Sequence, residues 1–318
     1  MIITAPPNTI DQLFTAVFSS DLSLADALYL NMALPEAAFL GTRITKKMLN
    51  DSASLNGIAL SAQEKKLISD VIQSIEWRYT LKPDTVNIAA WVTDQLDYAE
   101  VALLHVRLKP QPTASDNQQH TSFTKLATLL HKLIPYPLLV VAEQGEALAL
   151  SLADKRINQA DKTKCVVEHV YHTPWFTPHH ISAEQQAFLL DFSLRNAANL
   201  NYYALYQDLI AMLIALQTST ISGRYFAKNQ ALQQVQAVAH SAQPSLGGSV
   251  ADQSNSEKVA LLKQLASLEA ELNAIRNKLK KETQMNIKMQ LNVQGEIVNI
   301  LLKIKNSFLP TKQILIGL

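Results

Sequence analysis

Cys165, Glu168, His169, His172, His179 and His180 stand within 16 residues, the densest group of reactive side chains in the chain. A thiolate, a carboxylate and imidazoles are zinc ligands, so metal binding is the first chemistry to weigh. Spacing argues against it. Residues 165–171 read as a strand, in which alternate side chains share a face. Cys165 then sides with His169, and Glu168 with His172, so no more than two ligands align unless the next loop folds back. Neither C-x-x-C nor H-E-x-x-H occurs in the chain. The plainer reading is a set of strand-edge and turn histidines around packed Trp175 and Phe176. No metal ligand and no cofactor is assigned.

Two further chemistries fare no better. A nuclease of the restriction-endonuclease type places an acidic residue one strand before an (Asp/Glu)-x-Lys, so that carboxylates hold a metal beside the lysine. Glu64-Lys65-Lys66 has the three-letter pattern but lies on an expected helix, and Asp154-Lys155-Arg156 lacks the spacer. A nucleophilic serine would sit in a G-x-S-x-G elbow, and a phosphate-cradling loop needs glycine. The chain has 8 glycines and none of the elbow, G-x-G-x-x-G or G-x-x-x-x-G-K-[ST] patterns. No catalytic residue is assigned.

Binding chemistry is better represented. Arg43, Lys46 and Lys47 form one basic group; Arg276, Lys278, Lys280 and Lys281 form another. These seven are the candidate nucleic-acid contacts, with a solvated helix face as the competing reading. Aromatic residues interleave with neither group, which speaks against single-strand stacking. Overall charge gives no bias, at 28 basic against 27 acidic residues. Its distribution is uneven, because residues 257–318 carry ten Lys/Arg against five Glu, and the first 256 residues are net negative.

The elements that must position these groups follow from periodicity. Asn8 or Thr9 caps a first helix through Ile10, Leu13, Phe14 and Val17, and a second apolar stretch, 22–32, stops before Pro35. Ser61 and Glu64 have the spacing of a capping box. Strands are expected over 75–81, 101–109, 138–142, 147–152 and 165–171, with Glu143-Gln144-Gly145-Glu146 as a hairpin turn. A helix is expected over 122–133, and Ser182 starts a long helical region. The expected fold is α+β: a roughly five-stranded, mostly antiparallel sheet with flanking helices. A long C-terminal helical, coiled-coil-like segment follows. The divisions are 1–74, an N-terminal helical region; 75–226, an α+β core with closing helices; 227–256, a flexible linker; and 257–309, the C-terminal helix.

In that last segment Leu261, Leu265, Leu268, Leu272, Ile275 and Leu279 step 4-3-4-3-4 along one face, the spacing of a helix that packs on another helix. Polar residues 280–286 interrupt the seam, and Val293, Ile297, Ile300, Ile304 and Phe308 resume it. One unbroken helix is expected, with the interruption as a register shift that puts Glu282 and Asn286 at core positions. The seam would pack on the Tyr202–Leu216 stripe or on a second copy of itself.

At 318 residues, 48% hydrophobic and 17% charged, the chain is expected to fold as one large or two modest domains. A single cysteine excludes an intrachain disulfide and fits a reducing compartment. The N-terminus lacks the basic start and apolar core of a signal peptide, and no apolar run reaches the about 18 residues of a membrane span. A cytoplasmic location is expected.

Several separated motifs resemble one bacterial family. They are Leu34-Pro35, Ile44-Thr45-Lys46-Lys47, Ile75 to Leu81 around Trp77, Thr85-Val86-Asn87-Ile88, Ile134-Pro135-Tyr136-Pro137 and Thr173-Pro174-Trp175. Lys281-Glu282-Thr283-Gln284-Met285-Asn286, with Leu291-Asn292, resembles its signature in the last helix. Thr283 and Met285 depart from the Lys and Phe of the Glu-Lys-Gln-Phe-Asn form, and His172 stands where an aromatic is expected. The family is domain-of-unknown-function family 4391, and the resemblance spans roughly residues 30–305. It picks out Trp77, Pro135, Pro137, Pro174, Trp175, Glu282, Gln284, Asn286 and Asn292. It implies no activity, only a neighbourhood: genes beside DNA methyltransferases and helicases of phage-defence or restriction-modification loci. The expected role is a non-enzymatic accessory or assembly subunit that docks such a methyltransferase or helicase. Self-association through the C-terminal helix and contact with DNA are further expected partnerships. A nucleic-acid-binding module and a cryptic metal-dependent nuclease are the alternatives.

Overall fold

The computed structural model describes residues 22–51, 58–110, 116–162, 164–225, 227 and 255–307. The expected helix over 10–17 and nearly all of the expected linker lie outside them. Two compact units are present, Met1–Leu213 and Ile214–Leu318. In chain order the elements are α1 (Leu24–Met32), β1 (Phe39–Ile44), α2 (Lys46–Asn50), α3 (Ala62–Val71), β2 (Ile72–Leu81), α4 (Pro83–Val86), β3 (Trp91–Val92), β4 (Asp97–Tyr98) and β5 (Val101–Leu108). There follow α5 (Asp116–Leu133), β6 (Leu138–Gln144), β7 (Ala147–Ile157), β8 (Cys165–His172), α6 (Ala183–Asp191), α7 (Tyr202–Ser222), α8 (Asn255–Lys281) and α9 (Met285–Ser307).

Six strands form one sheet in the order β1-β2-β5-β6-β7-β8, and β3 pairs with β4 in a separate ribbon. Every neighbouring pair in the large sheet is antiparallel except β5 and β6. That parallel pair requires a crossover, which α5 supplies. The expectation of about five strands therefore becomes six. The strand that periodicity missed is β1, an edge strand with five of its six residues exposed and no alternation to read. It bulges between Phe39 and Thr42, where Gly41 adopts φ +60°. Residues 1–74, expected to be helical, thus contribute β1 and the start of β2. The hairpin turn is as expected: Gly145 at φ +60° takes the first central position between β6 and β7.

The sheet is covered on both faces. On one side Ala102, Leu104, Val106, Leu138, Val140 and Ala142 pack with Ile68 and Val71 of α3 and with Phe123, Leu126, Leu130 and Leu133 of α5. Ser61 begins α3 with the expected capping box, its Oγ accepting from Glu64 N and Glu64 Oε2 from Ser61 N. The other side carries α1 and the first part of α7. Asn31 of α1 donates from Nδ2 to the carbonyls of Leu189, at 2.7 Å, and Phe192, so α1 is tied to the end of α6. The long helical region expected after Ser182 is broken: α6 ends at Asp191 and α7 begins at Tyr202.

The start of β6 poses a specific problem. Pro135 and Pro137 lack N–H groups, and the carbonyls of Ile134 and Tyr136 turn into the protein. Lys155 of β7, only 5% exposed, donates from Nζ to both, at 2.6 Å each. Tyr206 of α7 closes the gap beyond the last β6–β7 pair: its hydroxyl donates to Leu138 O at 2.8 Å and accepts from Ala153 N at 3.1 Å. Burial pushes the Lys155 ammonium down to about 7. An unfolded lysine keeps its proton to about pH 10.5, so between those values the unfolded chain binds the extra proton and the folded state gains stability as pH rises. Lys155→Met should flatten that rise in urea melts between pH 7 and 10. At pH 9 it should cost about 2–4 kcal/mol, for two buried carbonyls left without a donor. A variant with wild-type stability and slope would refute this role.

Candidate functional site

On the α1 side of the sheet, β2, β5 and β6 bring polar side chains into one row. The register sets Glu76 beside His105 and Arg107 beside Glu143. Tyr29 descends from α1 onto this row. Its hydroxyl lies 2.9 Å from His105 Nδ1, while His105 Nε2 lies 2.9 Å from Glu143 Oε2. A carboxylate can only accept, so Nε2 carries a proton and donates it to Glu143. Arg107 Nε donates to the same oxygen at 2.9 Å. The bonds from His105 and Arg107 hold the Glu143 carboxyl down at about 2. Burial pushes the Tyr29 phenol well up, opposed by Arg78, whose guanidinium lies 4.5 Å above the ring. Arg78 also faces Asp26 and Glu76 at 3.8 Å each.

Tyrosine, imidazole and carboxylate in series have the form of a proton relay. Access decides against that use. Tyr29 is 6% exposed and His105 4%, so α1 would have to lift before any substrate atom reached them. The row instead fixes α1 on the sheet, with Arg107 and Asp26 as its solvated rim. A second constellation has the same fate. Ser151 Oγ and His131 Nε2 are 3.0 Å apart, the spacing of a nucleophile and its base, and both residues are 0% exposed. Burial pushes the His131 imidazole well down, keeping it neutral.

In the second unit the expectation of one unbroken C-terminal helix is corrected. Helix α8 ends at Lys281 and α9 starts at Met285, and the two fold back on each other as a hairpin. Leu265, Leu272 and Ile275 of α8 bury against Val298 and Leu302 of α9, with Leu268 and Leu291 beside them. Gly295 faces Ile275 across the hairpin, where a methyl would lie 3.7 Å from Ile275 Cγ2, in ordinary van der Waals contact. Within the described residues, then, the seam of α8 is covered by α9. Leu279 is half-buried, and the side chain of Leu261 lies outside those described. The polar interruption is the turn. Glu282 Oε1 accepts from the backbone N–H groups of Thr283 at 2.8 Å and Gln284 at 2.9 Å, which lowers its carboxyl below the usual range. An acidic group here also meets the positive end of α9.

A protein-family model, described as Domain of unknown function (DUF4391), matches residues 32–245. The chain belongs to this family. Comparison with curated proteins and with solved structures found no match. The DUF4391 match ends before α8, so Glu282, Gln284, Asn286 and Asn292 lie beyond it; Gln284 and Asn292 are exposed, and the Asn286 side chain is outside those described. The motif residues inside the match have structural tasks. Pro135 and Pro137 belong to the segment that Lys155 holds. Trp77 donates from Nε1 to Thr80 Oγ1 at 2.8 Å and sets its ring edge-on to Tyr136. Thr173 Oγ1 accepts from Leu150 N, and Trp175, after Pro174, packs on Phe123.

The Cys165 cluster is dispersed. Glu168 pairs with Arg156, His172 meets the Phe123 ring, and His179 faces Glu146 at the surface. Among the described residues no group of three or more His, Cys, Asp and Glu side chains is placed to hold a metal. The nuclease-like triplets are also occupied: Glu64 caps α3, and Asp154 accepts from the Tyr171 hydroxyl at 2.6 Å and from Gln207. Of the basic candidates, Lys46 donates to Ser69 O at the end of α3, where Lys109 joins it. Arg43, Lys47, Arg276, Lys278, Lys280 and Lys281 are exposed. Arg43, Lys46 and Lys47 lie in the first unit and the other four in the second. No helix among the described residues is long and apolar enough to cross a membrane.

The Tyr29–His105–Glu143 row makes a pH prediction. A carboxyl held at about 2 when folded and near 4.5 when unfolded adds stability above pH 4.5, which is lost as pH falls toward 2. Glu143→Gln should remove that acid-side loss and cost about 1–2 kcal/mol at pH 7, allowing for the solvated Arg107. Denaturant melts at pH 3, 5 and 7 measure both. Parallel pH profiles for variant and wild type would refute the assignment.

Proposed function

We propose that this DUF4391 chain is a non-enzymatic assembly subunit, with the α8–α9 hairpin as its association element. The observation that carries the reading is the outer face of α9. Met285 (73% exposed), Met289, Val293, Ile297, Ile300 and Leu301 present an apolar stripe away from α8. Isolated exposed apolar residues are ordinary, but a contiguous run of this length marks an interaction surface. The family neighbourhood expected from the motifs supplies the partner class: a DNA methyltransferase or helicase of a bacterial defence or restriction-modification locus. Co-expression of the locus proteins with the full chain, or with a chain lacking residues 250–318, tests this. The truncated chain should fail to co-purify with the methyltransferase or helicase. Equal recovery would sink the reading.

A second reading has its own support, because Arg276, Lys278, Lys280 and Lys281 are all exposed at the turn end of α8. Four cations there could neutralise backbone phosphates. Duplex binding should then weaken with salt, and exchanging all four for glutamine should reduce the log–log slope by about 3–4. An unchanged slope would exclude this patch.

A further inference from the structure

We propose that Lys46 and Lys109 together hold one phosphate group at the C-terminal end of α3. The site lies within the first unit, and its claim depends neither on the hairpin nor on the basic residues of α8.

Helix α3 ends, like any helix, with carbonyls that have no helical N–H to accept from, and Ser69 O is one of them. Lys46 opens α2, where Thr45 Oγ1 accepts from Met48 N, and its Nζ donates to Ser69 O at 3.2 Å. Lys109 follows β5. Its N–H donates to Val71 O at 2.9 Å and its carbonyl accepts from Gln144 Nε2 at 2.8 Å, so its backbone is held on both sides. Its Nζ reaches the same Ser69 O at 2.8 Å. Both lysines are half-buried, and each comes to this oxygen from a segment fixed by its own hydrogen bonds.

Two ammonium groups bonded to one oxygen lie within about 6 Å of each other. A single carbonyl, even at the negative end of a helix, offsets only a fraction of their charge. Among the described residues no carboxylate stands within ion-pair distance of either nitrogen. Partial burial, and next repulsion from Lys109, holds the Lys46 ammonium below the usual lysine range, against a weaker pull from Asp70. Exposed Lys47 adjoins Lys46 in sequence, and exposed Lys66 precedes Ser69 by one turn of α3, so both add to the positive side of this balance. Lysine meets an oxyanion as a point charge, and two ammoniums at this spacing can each take a different oxygen of one tetrahedral group. A planar carboxylate is better met by a guanidinium fork. The ligand that fits is therefore a phosphate group, supplied by free orthophosphate or by a nucleic-acid backbone.

The full-length chain tests this in two double variants. Lys46→Gln with Lys109→Gln removes both charges while each amide can still donate to Ser69 O; Lys46→Arg with Lys109→Arg keeps both charges. Inorganic phosphate, exchanged for chloride at constant ionic strength, is the first probe. If free phosphate is the source, it should raise the thermal midpoint of wild type and of the arginine pair, but not of the glutamine pair. Duplex DNA is the second probe. If a backbone is the source, the glutamine pair should bind about three- to tenfold more weakly, and its log–log salt slope should fall by about 1, the value for a single phosphate. A response in either arm that the glutamine pair loses and the arginine pair keeps supports the site and identifies the source. The proposal is overturned if neither probe separates the glutamine pair from wild type, in which case the lysines serve only to cap α3. It is equally overturned if the slope falls by about 2, because each lysine would then neutralise a phosphate of its own.

Discussion

A parallel strand pair inside a mixed sheet must begin in the dry interior, and β6 begins directly after two prolines, Pro135 and Pro137. Proline sets the chain direction without offering an N–H, so the carbonyls on either side cannot all join the ladder. An unpaired buried carbonyl costs on the order of 1–3 kcal/mol, and two of them would consume a large share of a domain's net stability. Lys155 answers both from the neighbouring strand, and Tyr206 does the same for Leu138 and Ala153. The order β5-β6-β7 at the middle of the sheet depends on these two side chains. One consequence reaches across the fold. Because Tyr206 belongs to α7, that helix can occupy only the position from which its hydroxyl meets the gap between β6 and β7. The covering of one sheet face is thereby set by a single hydrogen-bonding geometry rather than by apolar contact alone.

The same logic recurs on the row beneath α1. Tyr29, His105 and Glu143 are chemically capable, yet each is used to satisfy the next. A buried polar chain that ends in a solvated ion pair orients what it touches, because any other placement of α1 would leave an imidazole nitrogen and a phenol unpaired. Apolar packing tolerates sliding; this row does not. These reactive residues of the core therefore serve architecture, each satisfying the next.

Much of the fold was legible. The capping box at Ser61 and Glu64, the Gly145 hairpin and the alternation of 165–171 are local signals, and each maps onto an element of the structure. What was illegible depends on distant partners. β1 shows no alternation because an exposed, bulged edge strand buries only Ile44 and takes its definition from β2. In β5 every residue but Arg107 is buried, and His105 is inside. Nothing near His105 in sequence announces Tyr29 or Glu143, which lie 76 and 38 residues away. Lys155 is harder still: in the triplet Asp154-Lys155-Arg156 it looks like a solvated charge. The sequence signal for it is the pair of prolines at 135 and 137.

The C-terminal hairpin shows why a period alone underdetermines its partner. A 4-3-4-3-4 seam states that a helix packs on a helix, and Leu265, Leu272 and Ile275 do so. Whether the partner lies down the same chain depends on a turn, and the residues that make this one are polar side chains within an otherwise continuous pattern. Read as helix, Glu282 would have been a core charge, a costly placement. Read as a turn, it accepts two backbone N–H groups at the start of α9 and stays at the surface. Once α9 folds back, its two apolar faces acquire different meanings: the one along Val298 and Leu302 is spent on α8, and the one along Met289, Val293 and Ile297 is surplus to the fold. A sequence that needed only the hairpin would have no reason to keep that second face apolar, which is why the outer stripe, and not the seam, bears on association.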